Sequence, residues 1–224
     1  MILQTKTTQK EEKMNKLIIL LIIIISLVTL YFYNSLPQEI PVHWNIKGDV
    51  DSYQTKIFIW VFVAIPLFLL GLKRIIPKID PRKDNFEKHM SSYELTINSI
   101  IIFMCVIHLA VLFYSLGYKF DMGMLVKGGI GIIFIIIGNV LTRARHNYFF
   151  GIRTPWTLAN ETVWKKTHRV GGYIFVLLGL IYLSSAPFNN PYTAYAMLGS
   201  TIALIAFTFV YSYWIFKKLE NSEK

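Results

Sequence analysis

The sequence predicts an all-α integral membrane protein with six transmembrane helices and with both termini in the cytoplasm. Composition is the first observation, since 54% of the 224 residues are hydrophobic and only 16% are charged, whereas soluble domains are about 25% charged. The second is a set of six apolar runs that approach the roughly 20 residues needed to cross a hydrocarbon core. The third is the uneven distribution of Lys and Arg between the connecting segments. Together they indicate a chain whose solvent is largely lipid.

The six predicted spans follow the apolar runs in order. The fifth is short and needs Gly171 and Gly172 inside the membrane to reach full length, and Pro66 is expected to kink the second, which neighbouring helices can accommodate. The first span could alternatively be a signal peptide, but no small-residue cleavage site follows it. We therefore expect a retained helix; cleavage would leave five spans in the same orientation. The predicted spans are Leu17–Leu36, Ile57–Ile76, Leu95–Gly117, Leu125–Thr142, Val170–Ala186 and Ala194–Phe216.

Orientation follows from the loop charges. Of the 23 Lys and Arg residues, 19 fall in segments that alternate to one side and 4 to the other. Because cytoplasmic loops carry the excess of Lys and Arg, both termini are predicted to be cytoplasmic. The net charge of +10 is then explained by topology and by anionic inner-leaflet lipid. No direct binding of nucleic acid is needed to explain it.

A polar outer cap, residues 37–56, connects the first two spans. Pro41 favours an extended entry, and Gly48 followed by Asp49 is a turn signal. One His and two Asp over nine positions match no standard metal-ligand pattern, so no metal is predicted. Two interpretations stay open, namely a folded interfacial cap that satisfies its own turns and a surface that recognises an extracellular molecule. The candidate recognition residues are His43, Trp44, Asn45, Gly48, Asp51 and Lys56.

A second polar segment, the motif loop at residues 143–169, connects spans four and five. Thr154 followed by Pro155 predicts a helix start, with the hydroxyl as N-cap and proline at the first helical position. Val163, Thr167 and Val170 recur at helical spacing, which predicts a short interfacial helix. Trp156 and Trp164 are expected at the membrane surface beside Lys165, Lys166 and Arg169. The segment is either a connector or a docking surface for a cytoplasmic partner.

Catalytic patterns are missing from the sequence. His146, Glu161 and His168 lie in or beside the motif loop, but no His-Glu-x-x-His or Gly-x-Ser-x-Gly motif appears. An intramembrane histidine such as His108 is more often bonded to a neighbouring helix than functional, and Asn98 and Asn139 are expected to bridge helices. The single cysteine, Cys105, permits no intramolecular disulfide. We therefore predict no catalytic residues, no metal and no cofactor.

The two polar segments resemble one family, over roughly residues 15–217. Pro41-Val42-His43-Trp44-Asn45-x-x-Gly48-x-x-Asp51, followed by Lys56 and Pro66, is similar to the N-terminal domain of unknown function (DUF1648-like) usual in sporulation-delaying-protein immunity (SdpI) family membrane proteins. The C-terminal signature of that family resembles Gly151-Ile152-Arg153-Thr154-Pro155-Trp156-Thr157-Leu158 followed by Val163-Trp164-x-x-Thr167-His168-x-x-Gly171-Gly172. The implied organisation is a basic N-terminal segment (1–16), a DUF1648-like domain (17–76), a linker (77–94), an SdpI-like domain (95–217) and a tail (218–224).

The resemblance implies a multi-pass protein of the bacterial plasma membrane that protects its cell from a secreted peptide toxin. It also implies a receptor that holds a small DNA-binding autorepressor at the membrane. Two other classes stay open: a small transporter or exporter of a peptide or lipophilic compound, and a membrane enzyme, which would need His146, Glu161 and His168 close together. The motif-loop residues carried over, as partner contacts or as structural residues, are Gly151, Arg153, Thr154, Pro155, Trp156, Trp164, His168, Gly171 and Gly172.

Overall fold

The computed structural model describes the backbone of residues 2–222 and the side chains of residues 12–222. Within these residues the chain is largely helical, and one antiparallel β-hairpin interrupts the helices. The elements in order are α1 (Ile2–Phe32), β1 (Glu39–Trp44), β2 (Val50–Thr55), α2 (Ile59–Ile79), α3 (Lys83–Glu87), α4 (Met90–Ser115), α5 (Met122–Leu141), α6 (Pro155–Ala159), α7 (Glu161–Ser185) and α8 (Pro191–Ser222).

Six helices in the described chain are long and apolar enough to cross a membrane, as the sequence predicts. Helices α2, α4 and α5 start and end within about five residues of the predicted spans. Helix α1 begins earlier, at Ile2, and α8 extends further, to Ser222. The fifth differs, because α7 begins at Glu161 and not near Val170. The Asn160 side chain accepts hydrogen bonds from the N–H groups of Thr162 and Val163 and so caps the helix there. The extra turns give this span 25 residues.

The outer cap folds into the hairpin β1–β2, which the all-α prediction omitted. Its turn is held by the Asn45 side chain, which accepts the N–H groups of Lys47 and Asp49. Gly48 has a φ of +87°, a conformation that glycine adopts at no steric cost. The predicted turn at Gly48 is therefore confirmed. The strands escaped prediction because an irregular register around His43 disturbs the alternation of apolar and polar residues.

Helices α5 and α7 form the closest helix pair of the bundle. Gly131 and Gly138 on α5 face Gly179 and Gly172 on α7, and each backbone approaches the opposite glycine directly. A Cβ atom at Gly138 would lie 2.6 Å from the Gly172 carbonyl oxygen. Small residues allow this approach between membrane helices. Close packing is thus the role of Gly172, whereas Gly171 leaves room for the Ile152 side chain.

The bundle has two polar ends, named here for what they carry. The hairpin face holds the hairpin and the connections 116–121 and 186–190. The motif-loop face holds the connections 80–89 and 142–160. Helix α4 contacts α1, α2 and α5 between these ends. The hairpin is fixed onto α4 by a core in which Ile40 and Ile59 pack with Val111 and Leu112.

Candidate functional site

A cavity of about 780 Å³ lies under the hairpin on the hairpin face and is called the hairpin cavity below. Its walls come from β1, β2, α2, α4, α5, α7 and α8 and are mainly apolar. Polar side chains also contribute to the lining. The apolar walls include Phe62, Ile107, Val111, Val126 and Met197; the polar residues include His43, Asn45, Asp51, Lys127 and Asn189.

The structure brings four of the six predicted cap residues to this cavity: His43, Trp44, Asn45 and Asp51. The imidazole Nδ1 of His43 contacts Oδ1 of Asp51 at 2.5 Å and joins the two strands. Trp44 packs edge-to-face against Tyr114, and its buried indole N–H has no hydrogen-bond partner among the described residues. Gly48 instead forms the turn. Lys56 lies 5.1 Å from the Tyr33 ring centroid, away from the cavity lining.

A polar network that the sequence analysis missed secures the cavity wall. The ammonium of Lys127 donates to the Phe188 carbonyl at 2.6 Å and to the Asn189 side chain at 2.8 Å. Asn189 in turn donates to Asp121 at 2.6 Å. Burial alone would raise the pKa of the Asp121 carboxyl, but the N–H of Met124, the Asn189 amide and the Lys127 charge outweigh burial and lower it. The sequence did contain a signal for this network, because Lys127 lies within the first two turns of a span whose N-cap, Asp121, is acidic.

On the motif-loop face, Trp164 lies in the core and not at the membrane surface, where it was predicted. Its side chain is fully buried, its indole N–H donates to the Ala144 carbonyl at 2.8 Å, and its ring stacks on His168 at 3.9 Å. His168 accepts the Ile152 N–H on Nε2 and contacts the Trp164 carbonyl through Nδ1, so its proton is on Nδ1. Gly151 has a φ of +115°, and a Cβ atom there would collide with the His168 ring. These signature residues hold the loop together.

The short helix α6 begins as predicted, with Thr154 as N-cap and Pro155 in the first turn. It ends before Asn160, and Val163, Thr167 and Val170, whose spacing suggested the interfacial helix, lie in α7 instead. The Thr154 hydroxyl donates to the Ser212 hydroxyl at 2.9 Å, which attaches α6 to α8. Trp156 packs on the Phe209 and Tyr213 rings of α8.

Arg153 is exposed, and its guanidinium donates to the Tyr148 carbonyl. The motif loop is also tied to the linker by Asp80, which is fully buried. One Asp80 oxygen accepts the Arg82 N–H and the other accepts the Tyr148 N–H at 2.9 Å. Sequence reasoning missed this residue, although Asp followed by Pro81 is a turn signal.

A cavity of about 480 Å³, the motif-loop cavity, includes His146, Glu161 and His168 in its lining. The Trp164 ring contacts both imidazoles, at centroid distances of 5.1 Å to His146 and 3.9 Å to His168. Both nitrogens of His168 are hydrogen-bonded, and Nε2 of His146 contacts the Leu158 carbonyl. Among the described residues, no group of three His, Cys, Asp or Glu side chains could hold a metal ion.

Lys73, one of the 19 cations assigned to the cytoplasmic side, is buried inside the bundle. Its side chain is 3% exposed and pairs with Glu94 at 3.1 Å. It also donates to Asn98 at 2.9 Å and to Asn15, so the predicted bridging role of Asn98 is confirmed. Asn139 was also expected to bridge helices, but within residues 12–222 its amide bonds to the Ile135 carbonyl of its own helix and to no other helix.

His108 has the neighbouring-helix bond that was expected, with Nε2 lying 2.6 Å from the Thr29 hydroxyl of α1.

Comparison with known proteins covers most of the chain. Residues 143–212 match the model of the SdpI/YfhL protein family, and residues 20–68 match a domain of unknown function, DUF1648. The Immunity protein SdpI of Bacillus subtilis (strain 168) is 30% identical over 198 residues, which are 88% of this chain and 92% of that protein. No solved structure matches the chain. Both matched segments contribute walls to the hairpin cavity.

Proposed function

The chain belongs to the SdpI/YfhL protein family, and we propose that it is a multi-pass immunity protein of the bacterial plasma membrane that gives resistance to a secreted peptide toxin. Similarity to an immunity protein over nearly the whole of both chains supports this role. We place the hairpin face outside the cell and the motif-loop face in the cytoplasm, since the loops of the latter carry most of the Lys and Arg.

The observation that carries the proposal is the hairpin cavity. Its volume of about 780 Å³ falls in the range of ligand pockets, which are typically lined by apolar groups with a few polar ones. A membrane-active peptide approaching from outside would place apolar side chains against Phe62, Val111 and Met197. Its polar groups would meet His43 and Asp51. The cavity would therefore hold the toxin at the membrane surface.

The test fills the cavity without touching its hydrogen bonds. Ala194 lines the hairpin cavity, and Ala196, on the same helix, is exposed outside it. We expect Ala194→Phe to lose protection and Ala196→Phe to keep it. Each variant would be expressed in a sensitive Gram-positive host that lacks its own immunity protein. Survival would be measured against purified sporulation-delaying-type peptide toxin, at matched membrane levels of each protein.

The paired variants separate occupancy of the cavity from added bulk on α8. Full protection by Ala194→Phe would refute the cavity as the toxin site. Equal loss in both variants would indicate a general effect on α8. A second pair, His43→Gln and Lys56→Gln, compares a cavity residue with a cap residue that lies outside the lining. We expect only His43→Gln to weaken protection.

We also propose that the motif-loop face can hold a small DNA-binding autorepressor at the membrane. Trp164 is too deeply buried to contact it, so the contact has to come from exposed side chains, and we propose those between α7 and α8. Lys166 and Lys218 line a shallow cavity of about 250 Å³ there. Lys166→Glu should release a fluorescent repressor fusion from the membrane, whereas the neighbouring Lys165→Glu should not. Retention by Lys166→Glu would contradict this surface.

A transporter is the second candidate, because two polar clusters lie inside the bundle. One is Lys73 with Glu94, and the other is His108 with Thr29. The buried apolar side chain of Ile101 on α4 lies between them, which argues against a continuous polar path. Labelled toxin distinguishes the two functions: export would lower cell-associated toxin only while the membrane gradient is intact, whereas binding would not depend on the gradient.

A further inference from the structure

We propose that the motif-loop cavity is a binding site for the phosphodiester headgroup of an anionic phospholipid. The cavity lies where the end of α5 meets the first turns of α7 and has a volume of about 480 Å³. Three cations line it, Arg145, Lys165 and Arg169, against one acid, Glu161. Glu161 pairs with Lys165 at 2.8 Å, so the two arginines carry the net positive charge of the cavity.

The guanidinium groups of Arg145 and Arg169 suit a phosphate ligand. Both residues are exposed, and no carboxylate in the described chain forms an ion pair with either of them. Arginine presents a planar fork of donors that binds two phosphate oxygens at once, and it is more weakly hydrated than lysine. Two arginines beside one cavity thus match a single phosphodiester.

The surface below the arginines identifies the ligand as a lipid and not a free anion. Lys165, Arg169 and Tyr173 follow one another at four-residue intervals on the same side of α7, and all three are exposed. Leu177 and Leu180 continue this side into the span, with exposed fractions of 58% and 52%. Tyrosine favours the headgroup level of a membrane. A phospholipid would contact the arginines with its phosphate and these leucines with its acyl chains.

The cavity wall is closely packed, which favours a defined site over diffuse attraction. The rings of Trp164 and His168 stack behind the cations and are themselves buried and hydrogen-bonded. The cations of α7 that face the other way, such as Lys166, lie near α8 and outside this cavity. Headgroup selectivity should consequently depend on Arg145 and Arg169, and not on the total charge of the face.

The test uses the purified full chain in detergent with equal amounts of phosphatidylglycerol and phosphatidylcholine that carry the same acyl chains. Native mass spectrometry would count the bound lipids. Each cation near a membrane surface favours anionic lipid by about fivefold. The double variant Arg145→Gln/Arg169→Gln should therefore lose roughly 25-fold of the preference for phosphatidylglycerol. Arg169→Lys, which keeps the charge but lacks the planar fork of donors, should retain only part of it.

The matched control is Lys166→Gln/Lys218→Gln, which removes the same charge from the α8 side. It should keep the wild-type preference, and an equal loss in both double variants would overturn the site in favour of general electrostatics. Wild-type protein without selectivity would also overturn the proposal. Inorganic phosphate provides a third arm: if phosphate alone raises the Tm as much as phosphatidylglycerol does, the cavity binds a free anion.

Discussion

The close approach of α5 to α7 predicts that one methyl group at Gly138 destabilises the protein. In Gly138→Ala the new Cβ would lie 2.6 Å from the Gly172 carbonyl oxygen, where ordinary contact begins at 3.4 Å. It would also lie 2.8 Å from the Val176 backbone nitrogen. The Val176 Cγ2 atom would lie 2.7 Å away as well. The two backbone atoms cannot rotate away, so the helices must separate by about 0.8 Å, the difference between 2.6 Å and 3.4 Å, to restore ordinary contact with the carbonyl oxygen. Overpacking of this kind costs about 1–3 kcal/mol.

Gly128 is the matched control, because it lies on the same helix and a Cβ atom there meets nothing within 4 Å. Alanine is favoured over glycine inside a helix by about 0.5–1 kcal/mol. Gly128→Ala should therefore be neutral or stabilising. The same helix preference applies at Gly138, so the two variants should differ by the cost of overpacking alone, about 1–3 kcal/mol.

The assay is unfolding in mixed micelles with increasing mole fraction of a denaturing detergent, followed by tryptophan fluorescence. Equal stability of Gly138→Ala and Gly128→Ala would refute the reasoning, because only backbone contact distinguishes the two sites. A second substitution that shortens the Val176 side chain makes room on α7. If it partly restores the stability of Gly138→Ala, the reasoning is supported.

Three further predictions concern the motif-loop face and the buried ion pair. Trp164→Phe leaves the buried Ala144 carbonyl without its donor and should cost about 1–3 kcal/mol in the same assay. Lys73→Met leaves the partly buried Glu94 without its cation and should cost about 3 kcal/mol. Lys73→Met with Glu94→Met should cost less, and equal losses would contradict the pairing. Burial, together with the Arg82 charge, lowers the pKa of His146 in the folded protein. The neutral imidazole therefore stabilises the fold fully above the pKa of about 6.5 that histidine has in the unfolded chain. This stabilisation is lost as the pH falls below that value, because the unfolded chain then binds the proton more readily. The drop in Tm between about pH 7.5 and about pH 5 should shrink in His146→Gln.

Much of the architecture was predictable because membrane helices leave strong local signals. Six long apolar runs correspond to six long helices within residues 2–222. Thr154 and Pro155 predicted the start of α6, since capping depends only on residues a few positions apart. The hairpin was missed because its strands are short and their pairing is irregular near His43. The break at Asn160 was also missed, although asparagine is a favoured N-cap.

The candidate site was less predictable, because burial depends on residues that are distant in the chain. In the sequence Trp164 resembles an interfacial aromatic residue beside cations. It is buried because its indole N–H donates to the Ala144 carbonyl and its ring stacks on His168. In the sequence Lys73 resembles a cation of a solvent-exposed loop. It is buried because Glu94 and Asn98, on another helix, pair with its ammonium group. The residues next to Trp164 and Lys73 in the sequence do not show whether a distant part of the chain supplies these hydrogen-bonding or ion-pair partners.

The sequence by itself determined the number of long apolar helices and their approximate positions in the chain, because hydrocarbon thickness constrains each segment separately. It also determined the two polar segments that connect them. Only the tertiary structure decided which polar residues share a cavity, which cations are buried and where α5 contacts α7. Those outcomes depend on how helices that are far apart in the chain pack together. The periodicity of apolar residues indicates which face of a helix is apolar, but it does not indicate which other helix covers that face.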